Sequence, residues 1–479
     1  MLFNSLSFLI FFPVVTIAFF SLKHRYRWAL LLAASCFFYM TFRPVYILIL
    51  ALMITVDYFS AIEIERSVTQ QRKKFFLFAS IFVNVGMLAF FKYYDFLNHF
   101  VSRIFMYGEA DPMLPVFSFV LPIGLSFHTF QSMSYTLEVY GGNQRAERHF
   151  GIFSLYVMFY PQLVAGPIER PGHLLPQFRI HQEFDYARVS SGLRRMLWGL
   201  FKKMVIADRL AFFVDAVFGQ PHSYSGFPVV WAGLFYTFQI YCDFSGYCDI
   251  AIGAARVMGF ELTENFVSPF FSKSVSEFWK RWHISLTSWL FDYVYKPISF
   301  LKRGWGKWGA VYAVMITFFL CGLWHGARWN FIAWGLLNGL ALSFEIATDR
   351  FRKKNFRNGK SFWPGAVSRL LTFSFICLAF IVARAPSLPD AIHMLGSIPD
   401  LSMHNLIGLP VITTFSFIMN FVFIIFLTGA EWFFLNEGAK INARFVSSVP
   451  THYALSAFLL IMILLFGVFE QQAFIYFQF

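Results

Sequence analysis

Residues 310–347, AVYAVMITFFLCGLWHGARWNFIAWGLLNGLALSFEIA, decide the fold. Two apolar runs, 308–323 and 329–347, flank a short polar break that holds His325, Gly326 and Arg328. A helix crossing a bilayer core needs about 20 apolar residues, and each run is close to that length. Similar blocks with few or no formal charges recur at 75–91, 366–383 and 452–469. The whole chain has the same character. Of its 479 residues, 58% are hydrophobic, 21% aromatic and 14% charged, with a mean hydropathy of +0.58. A soluble domain carries roughly 25% charged residues, so a soluble globule and a disordered chain are both excluded.

Working outward from 310–347, candidate spans lie near 5–22, 28–42, 45–62, 75–91, 114–138, 204–218, 227–258, 308–323, 329–347, 366–383, 411–430 and 452–469, with a less regular region at 150–168. The expected fold is all-α and polytopic, with roughly eleven transmembrane helices plus re-entrant or interfacial segments. Residues 1–479 read as a single membrane domain, with a motif-bearing core at about 114–345 and C-terminal helices over 366–469. MLFNSLSFLIFFPVVTIAFF, at the start of the chain, has neither a basic leader nor a small-residue cleavage site and reads as a retained first helix.

The net charge is +13. A nucleic-acid partner would require that charge to cluster on a soluble domain. Instead it falls in short stretches between apolar blocks, the pattern of cytoplasmic loops. Lys23, Arg25 and Arg27, then Arg66, Arg72, Lys73 and Lys74, then Arg350, Arg352, Lys353, Lys354, Arg357 and Lys360, then Lys440 and Arg444 mark successive inside loops. The segments near 93–112 and 385–408 are poorer in basic residues and fall outside, so both termini are expected on the extracytoplasmic face. The stretch 141–209, with ten basic and five acidic residues, is too polar to span and is expected on the cytoplasmic face as short helices and loops. The stretch 261–307 mixes aromatics with charge, as an interfacial helix or a segment dipping into a polar cavity does. The five cysteines show no CxxC spacing and no readable disulfide framework.

An ionisable residue at membrane depth is costly and becomes a functional candidate. A lone histidine on an apolar face more often packs than reacts. His325, however, lies between two spans and is flanked by Gly322 and Gly326, which admit another group close to the backbone. His283, in EFWKRWHISL, follows Lys280 and Arg281, whose charge would favour neutral imidazole; the alternative is an interfacial ring among snorkelling cations. In QIYCDFSGYCDIAIG, Asp243 and Asp249 bracket Ser245, Gly246 and Tyr247. The aspartates suit a cation site, a proton relay or acceptors that orient helices. Their spacing of six puts them on different faces of a regular helix, against a two-carboxylate metal site, unless Gly246 breaks the helix. SFHTFQSMSYTLEVY, with His128, Gln131, Ser132, Ser134, Tyr135 and Glu138, carries enough polar groups to suggest a lined cavity rather than interhelical hydrogen bonding alone. Cys321 shares a helix face with His325, but a thiol among Phe, Leu and Trp is a poor nucleophile. No Walker motif, GxSxG elbow, GxGxxG or zinc-spaced set is present, and no metal site is expected.

SEFWKRWHISLTSWLFDYVY and LCGLWHGARWNFIAWGLLNG resemble the two histidine motifs of the membrane-bound O-acyltransferase family. YCDFSGYCDIAIGAARVMGFELTENF, GLSFHTFQSMSYTLEVYGG and FYPQLVAGPIERP resemble further blocks of its bacterial branch, the alginate O-acetyltransferase type, which also includes D-alanyl-lipoteichoic acid transferases. The likeness runs with gaps over residues 1–345 and keeps motif order. It implies a helical fold around a central tunnel, with His325 at the place of the catalytic histidine and His283 at the second family histidine, nearer the cytoplasmic mouth. Asp292 matches the acid of the family's RDYLY-like segment, although Phe291 replaces the preceding basic residue, and KPISFLKRGW replaces the loop that usually follows. Asp243, Ser245, Tyr247, Asp249, His128, Gln131, Trp282, Trp324 and Asp292 are then expected to line the tunnel or meet substrate.

The implied activity moves an acyl group, most readily acetyl, from a cytoplasmic donor to a hydroxyl outside, with His325 as general base. Acetyl-CoA or another acyl donor, a carrier protein included, would be a co-substrate rather than a bound cofactor. Expected partners are membrane lipid, an extracytoplasmic acetyltransferase- or esterase-like protein and a polysaccharide acceptor, with no nucleic acid. The expected location is the bacterial cytoplasmic (inner) membrane. D-alanyl transfer from a carrier protein, a transporter and a scaffold for surface-polymer assembly are the alternatives.

Overall fold

The computed structural model describes residues 1–105, 115, 122–356, 362–400, 413–436, 449–470 and 474–475. Arg357, Lys360, Lys440 and Arg444 of the proposed inside loops lie outside the described residues, as do parts of the candidate spans 114–138 and 411–430. Among the described residues the regular structure is helical, with no strand and one isolated antiparallel bridge between Phe266 and Trp282.

Among the described residues, six helices are long and apolar enough to cross a membrane: Pro44–Arg66, Gln70–Ser102, Lys307–His325, Trp329–Arg350, Gly365–Arg384 and Thr414–Phe433. Between 17% and 44% of each is buried in protein, so most of every span faces outward. Phe75, Phe78 and Phe82 on one, and Leu370 and Leu371 on another, are exposed. Contiguous apolar exposure on this scale is untenable in water and ordinary against lipid. The protein is a multi-pass membrane protein. Two shorter apolar helices, Leu6–Ser21 and Pro450–Phe466, join these six, so the count of roughly eleven is not reached among the described residues. The other blocks differ in length, charge or burial. The 28–42 block belongs to a 17-residue helix that begins His-Arg-Tyr-Arg, and the 150–168 block forms a nine-residue helix followed by turns. The 204–218 block holds a 12-residue helix, and the 227–258 block is a single 32-residue helix buried along most of its length.

The chain packs as two compact units. The first comprises Met1–Met196 and Cys248–Thr263. Here three helices are tied through Asp57, which is fully buried and accepts hydrogen bonds from Ser80 Oγ (2.6 Å), Asn84 Nδ2 (2.8 Å) and Ser132 Oγ. In a membrane the hydrophobic effect does not distinguish lipid from a neighbouring apolar helix, so polar contacts of this kind specify which helices meet.

The second unit comprises Leu197–Tyr247 and Glu264–Ile475. Its central hairpin joins Lys307–His325 to Trp329–Phe356 through a three-residue turn. A Cβ on Gly322 would lie 2.3 Å from the Phe331 carbonyl oxygen, so only glycine lets the two helices approach this closely. Asn330, buried at the start of the second helix, donates to the carbonyls of Val382 (3.3 Å) and Ala385 (2.8 Å) and anchors the hairpin to the end of Phe362–Arg384.

Candidate active site

His325 is the last residue of the Lys307–His325 helix and is half-buried. Its ring meets Trp324 edge-on at 4.8 Å and Trp334 edge-on at 4.9 Å, and lies nearly parallel to Phe331 at 6.5 Å. Gly326 makes this possible, because a Cβ there would lie 2.3 Å from the Phe331 ring. The glycine flanks singled out in the sequence are therefore required by close approach. Three aromatic walls restrict the imidazole to few orientations while it keeps partial access.

His283 is fully buried between the helices Val275–Arg281 and Ile284–Leu290. Its backbone is left-handed (φ 46°, ψ 53°), one of two such non-glycine positions among the described residues. That conformation is costly for a side chain with a Cβ and persists only where the surroundings impose it. The surroundings are visible. Val267 N–H donates to the Arg281 carbonyl (3.0 Å), Ile284 N–H to the Asn265 carbonyl (3.0 Å) and Ser285 N–H to Asn265 Oδ1 (3.0 Å). The buried Asn265 thus caps the second helix and holds the turn that aims His283. The ring packs edge-on against Phe244 at 4.7 Å and Trp324 at 5.9 Å. Trp324 therefore touches both imidazoles.

His283 is held well below the ordinary histidine value, first by burial and then by the nearby His325 charge. This corrects the attribution to Lys280 and Arg281. Lys280 is exposed and Arg281 is engaged with Glu277 (2.8 Å), so their charge is spent elsewhere. The neutral imidazole expected at position 283 stands, for a different reason.

Trp282 belongs to the aromatic packing beneath the turn: it stacks on Phe278 at 5.3 Å and meets Phe380 at 5.4 Å. Asp243, Ser245 and Tyr247 share the long helix with Phe244 but project around it. Asp243 accepts from Lys203 Nζ (2.6 Å) and from the Ile475 N–H (2.7 Å), and Lys203 also reaches Asp208 (2.8 Å). Lys202 donates to Ser245 Oγ (2.8 Å), and Tyr247 packs against Phe474. The cation beside Asp243 is thus the protein's own lysine. The helix stays regular through Gly246, whose missing Cβ admits the Gly199 carbonyl, rather than kinking there. Asp292 is partly exposed on a π-helical turn and pairs with Lys296 (2.8 Å).

Three of the sequence-predicted residues belong to the first unit. Asp249 pairs with Arg195 (2.9 Å), on a different helix face from Asp243, as the spacing of six predicts. Gln131 donates to the Tyr156 carbonyl. Its neighbours Ser132 and Tyr135 likewise bond between elements, to Asp57 and to the Glu147 N–H (2.8 Å). His128 is buried and bonds the backbone of Val157, while among the described residues its Nε2 has no hydrogen-bond partner.

Sequence reasoning missed the buried asparagines. Asn338 accepts from Trp279 Nε1 (3.1 Å), and Asn265 and Asn330 anchor the two histidine segments. An amide inside an apolar helix was a readable signal for Asn338. The Lys202–Lys203 pair was hidden in a stretch read as short helices and loops on the cytoplasmic face, but it lies buried on a π-helical turn.

The structure is thus a helical membrane protein in which both motif histidines lie in one unit and contact the same buried tryptophan. The family model for the membrane-bound O-acyltransferase family matches residues 117–383, which include His128, His283 and His325. The chain belongs to this family and is an O-acyltransferase. It is 36% identical over 400 residues to the peptidoglycan O-acetyltransferase of Helicobacter pylori, covering 78% of this chain and 73% of that protein. It is 34% identical over 429 residues to a probable alginate O-acetylase of Pseudomonas aeruginosa, covering 86% and 79%. A teichoic acid D-alanyltransferase of Bacillus subtilis is 26% identical over 293 residues, 59% of this chain and 74% of that protein.

Proposed function

We propose that the protein transfers an acetyl group from cytoplasmic acetyl-CoA to a hydroxyl of an extracytoplasmic acceptor, a cell-surface glycan or a partner protein that passes the group on. The observation that carries this reading is the disposition of the two imidazoles. His325 is half-buried, oriented by three aromatic rings and reachable. His283 is fully buried, neutral and fixed by its backbone.

In this reading His325 removes the proton of the acceptor hydroxyl as its oxygen attacks the thioester carbonyl. The tetrahedral oxyanion collapses, the C–S bond breaks, and the proton leaves with the CoA thiolate. A positioned general base of this kind contributes roughly 10²- to 10⁴-fold. His283 orients a substrate or relays a proton. Acetyl is favoured over D-alanyl because relatives named for O-acetyl transfer match more of this chain at higher identity than the D-alanyltransferase does. The protein sits in the bacterial cytoplasmic membrane with both termini extracytoplasmic, and works with an acetyltransferase- or esterase-like partner outside. The test is acetyl release from surface polymers of cells producing the native protein or His325→Ala. A fall of about 10²-fold or more is expected, and native acetylation in the variant sinks the assignment.

A further inference from the structure

We propose that a cleft in the first unit, built by residues 173–191 and 256–261, is a binding site for a phosphate-bearing ligand. The cleft has a volume of about 690 Å³. That volume lies within the range of small-molecule sites, roughly 300–1,000 Å³. Arg188 enters from the start of Tyr186–Phe201 and Arg256 from the last turn of Phe227–Met258, and both line it with His173.

The two guanidiniums are underused. Arg256 Nη1 donates to Ser191 Oγ (3.2 Å), and Arg188 Nη2 donates to the Glu183 carbonyl. Among the described residues, Arg188 Nε is buried without a hydrogen-bond partner and neither arginine forms an ion pair. Nearby, Arg179 pairs with Glu147, Arg195 with Asp249 and Arg170 with Glu138, while Arg194, which does not line the cleft, donates to Ser190 Oγ. A guanidinium offers five donors in a planar fork suited to phosphate oxygens. Two forks facing one cleft make a site for a doubly charged or bridged anion.

The rest of the cleft is built rather than incidental. Gly259 takes φ +95°, and a Cβ there would lie 2.4 Å from Gln182 Oε1, so the turn after Arg256 closes tightly onto the opposite wall. The Gln177 amide clamps the next residues, accepting from Glu261 N–H (2.8 Å) and donating to the Glu261 carbonyl (3.0 Å). Phe260 supplies a buried apolar wall. His173 is fixed on the same side by its hydrogen bond to the buried Glu169 (2.7 Å), which holds its value above the ordinary one. Glu261 is the one carboxylate among the lining residues.

Two sources carry this chemistry: the nucleotide phosphates of a CoA donor, which rests on the function proposed above, and the headgroup of an anionic phospholipid, which does not. The full-length protein is purified in detergent and delipidated. It is titrated with CoA and with adenosine 3′,5′-bisphosphate by thermophoresis, and with phosphatidylglycerol and phosphatidylcholine by native mass spectrometry. One class of phosphate ligand is expected to bind, and Arg188→Ala/Arg256→Ala weakens it at least about tenfold. The double lysine variant is intermediate, because it keeps the charge and loses the fork. Added salt weakens binding to the native protein. Should the alanine pair fail to fold, Arg256→Gln alone carries the same test with a smaller loss. Loss of CoA binding assigns the donor. Loss of phosphatidylglycerol binding with phosphatidylcholine unaffected assigns the lipid, and leaves the acetyl-transfer reading to stand or fall on the His325 assay. Binding of every ligand unchanged in the variants, or no binding to the native protein, overturns the proposal.

Discussion

His283 and His325 are the same residue type in two different physical states. His325 hangs from a helix end among aromatic edges, whereas His283 is locked in a left-handed turn and buried. Left-handed backbone costs roughly 1–2 kcal/mol for an ordinary residue and less for asparagine. His283→Asn should therefore fold nearly as well as the native protein, His283→Val should be less stable by about that amount, and both should lose transfer activity. Thermal melts set beside acetyl-transfer assays separate the two effects. The sign of the pH dependence follows from burial. A histidine whose folded value is depressed binds its proton more readily unfolded, so the native state loses stability as pH falls below the ordinary value of 6.5. Melting temperature should decline from pH 7 toward pH 5, and His283→Asn should decline less. An identical slope in the variant would show that His283 is not the group responsible.

At the scale of elements, the two histidine motifs are each contiguous in sequence, but what positions them is not. Asn265 lies 18 residues before His283 and holds it through a carbonyl and a side-chain oxygen. Asn265→Ala removes a helix cap, an effect of about 1 kcal/mol, and releases the turn. Activity is expected to fall further than stability, chiefly in kcat, while Asn265→Asp, which keeps the acceptor, recovers much of it. Equal activity in Asn265→Ala and the native protein would remove it as a positioning residue. The local motif was legible because apolar runs, glycines and a lone histidine stand out by contrast. The segment Asn265–Val267 was not, because a short non-helical pairing has no periodicity to read.

At the scale of the molecule, the buried lysine at 203 shared by Asp243 and Asp208 is the most expensive arrangement described, and the C-terminal segment completes it. Val468 N–H donates to the Met204 carbonyl (3.0 Å) and Ile475 N–H to Asp243. Removing one partner from a buried ion cluster typically costs about 3–5 kcal/mol, because a charge is left uncompensated. Lys203→Ala should therefore lower the melting temperature sharply, and deletion of residues 468–479 should do so to a lesser degree because it removes neutral donors. A Lys203→Ala protein as stable as the native one would show that the cluster is not structural. Neither the lysine pair nor the closing role of the C-terminal segment was readable: positive charge between apolar blocks looks topogenic, and the burial of Lys203 depends on partners 5 to 271 residues away, from Asp208 to Phe474.

The sequence by itself determined the membrane class, the helical architecture, the family and the two histidines, because each is written in local contrast: apolar against polar over about 20 residues, or an ionisable side chain where none is cheap. Only the tertiary structure decided what those residues do to one another. It set Trp324 between the imidazoles, assigned the depression of His283 to burial and His325, turned Asp243 into a partner of Lys203, and gathered Arg188 and Arg256 at one cleft. Electrostatics and packing act through distance in space, and that distance is fixed only when the helices have met.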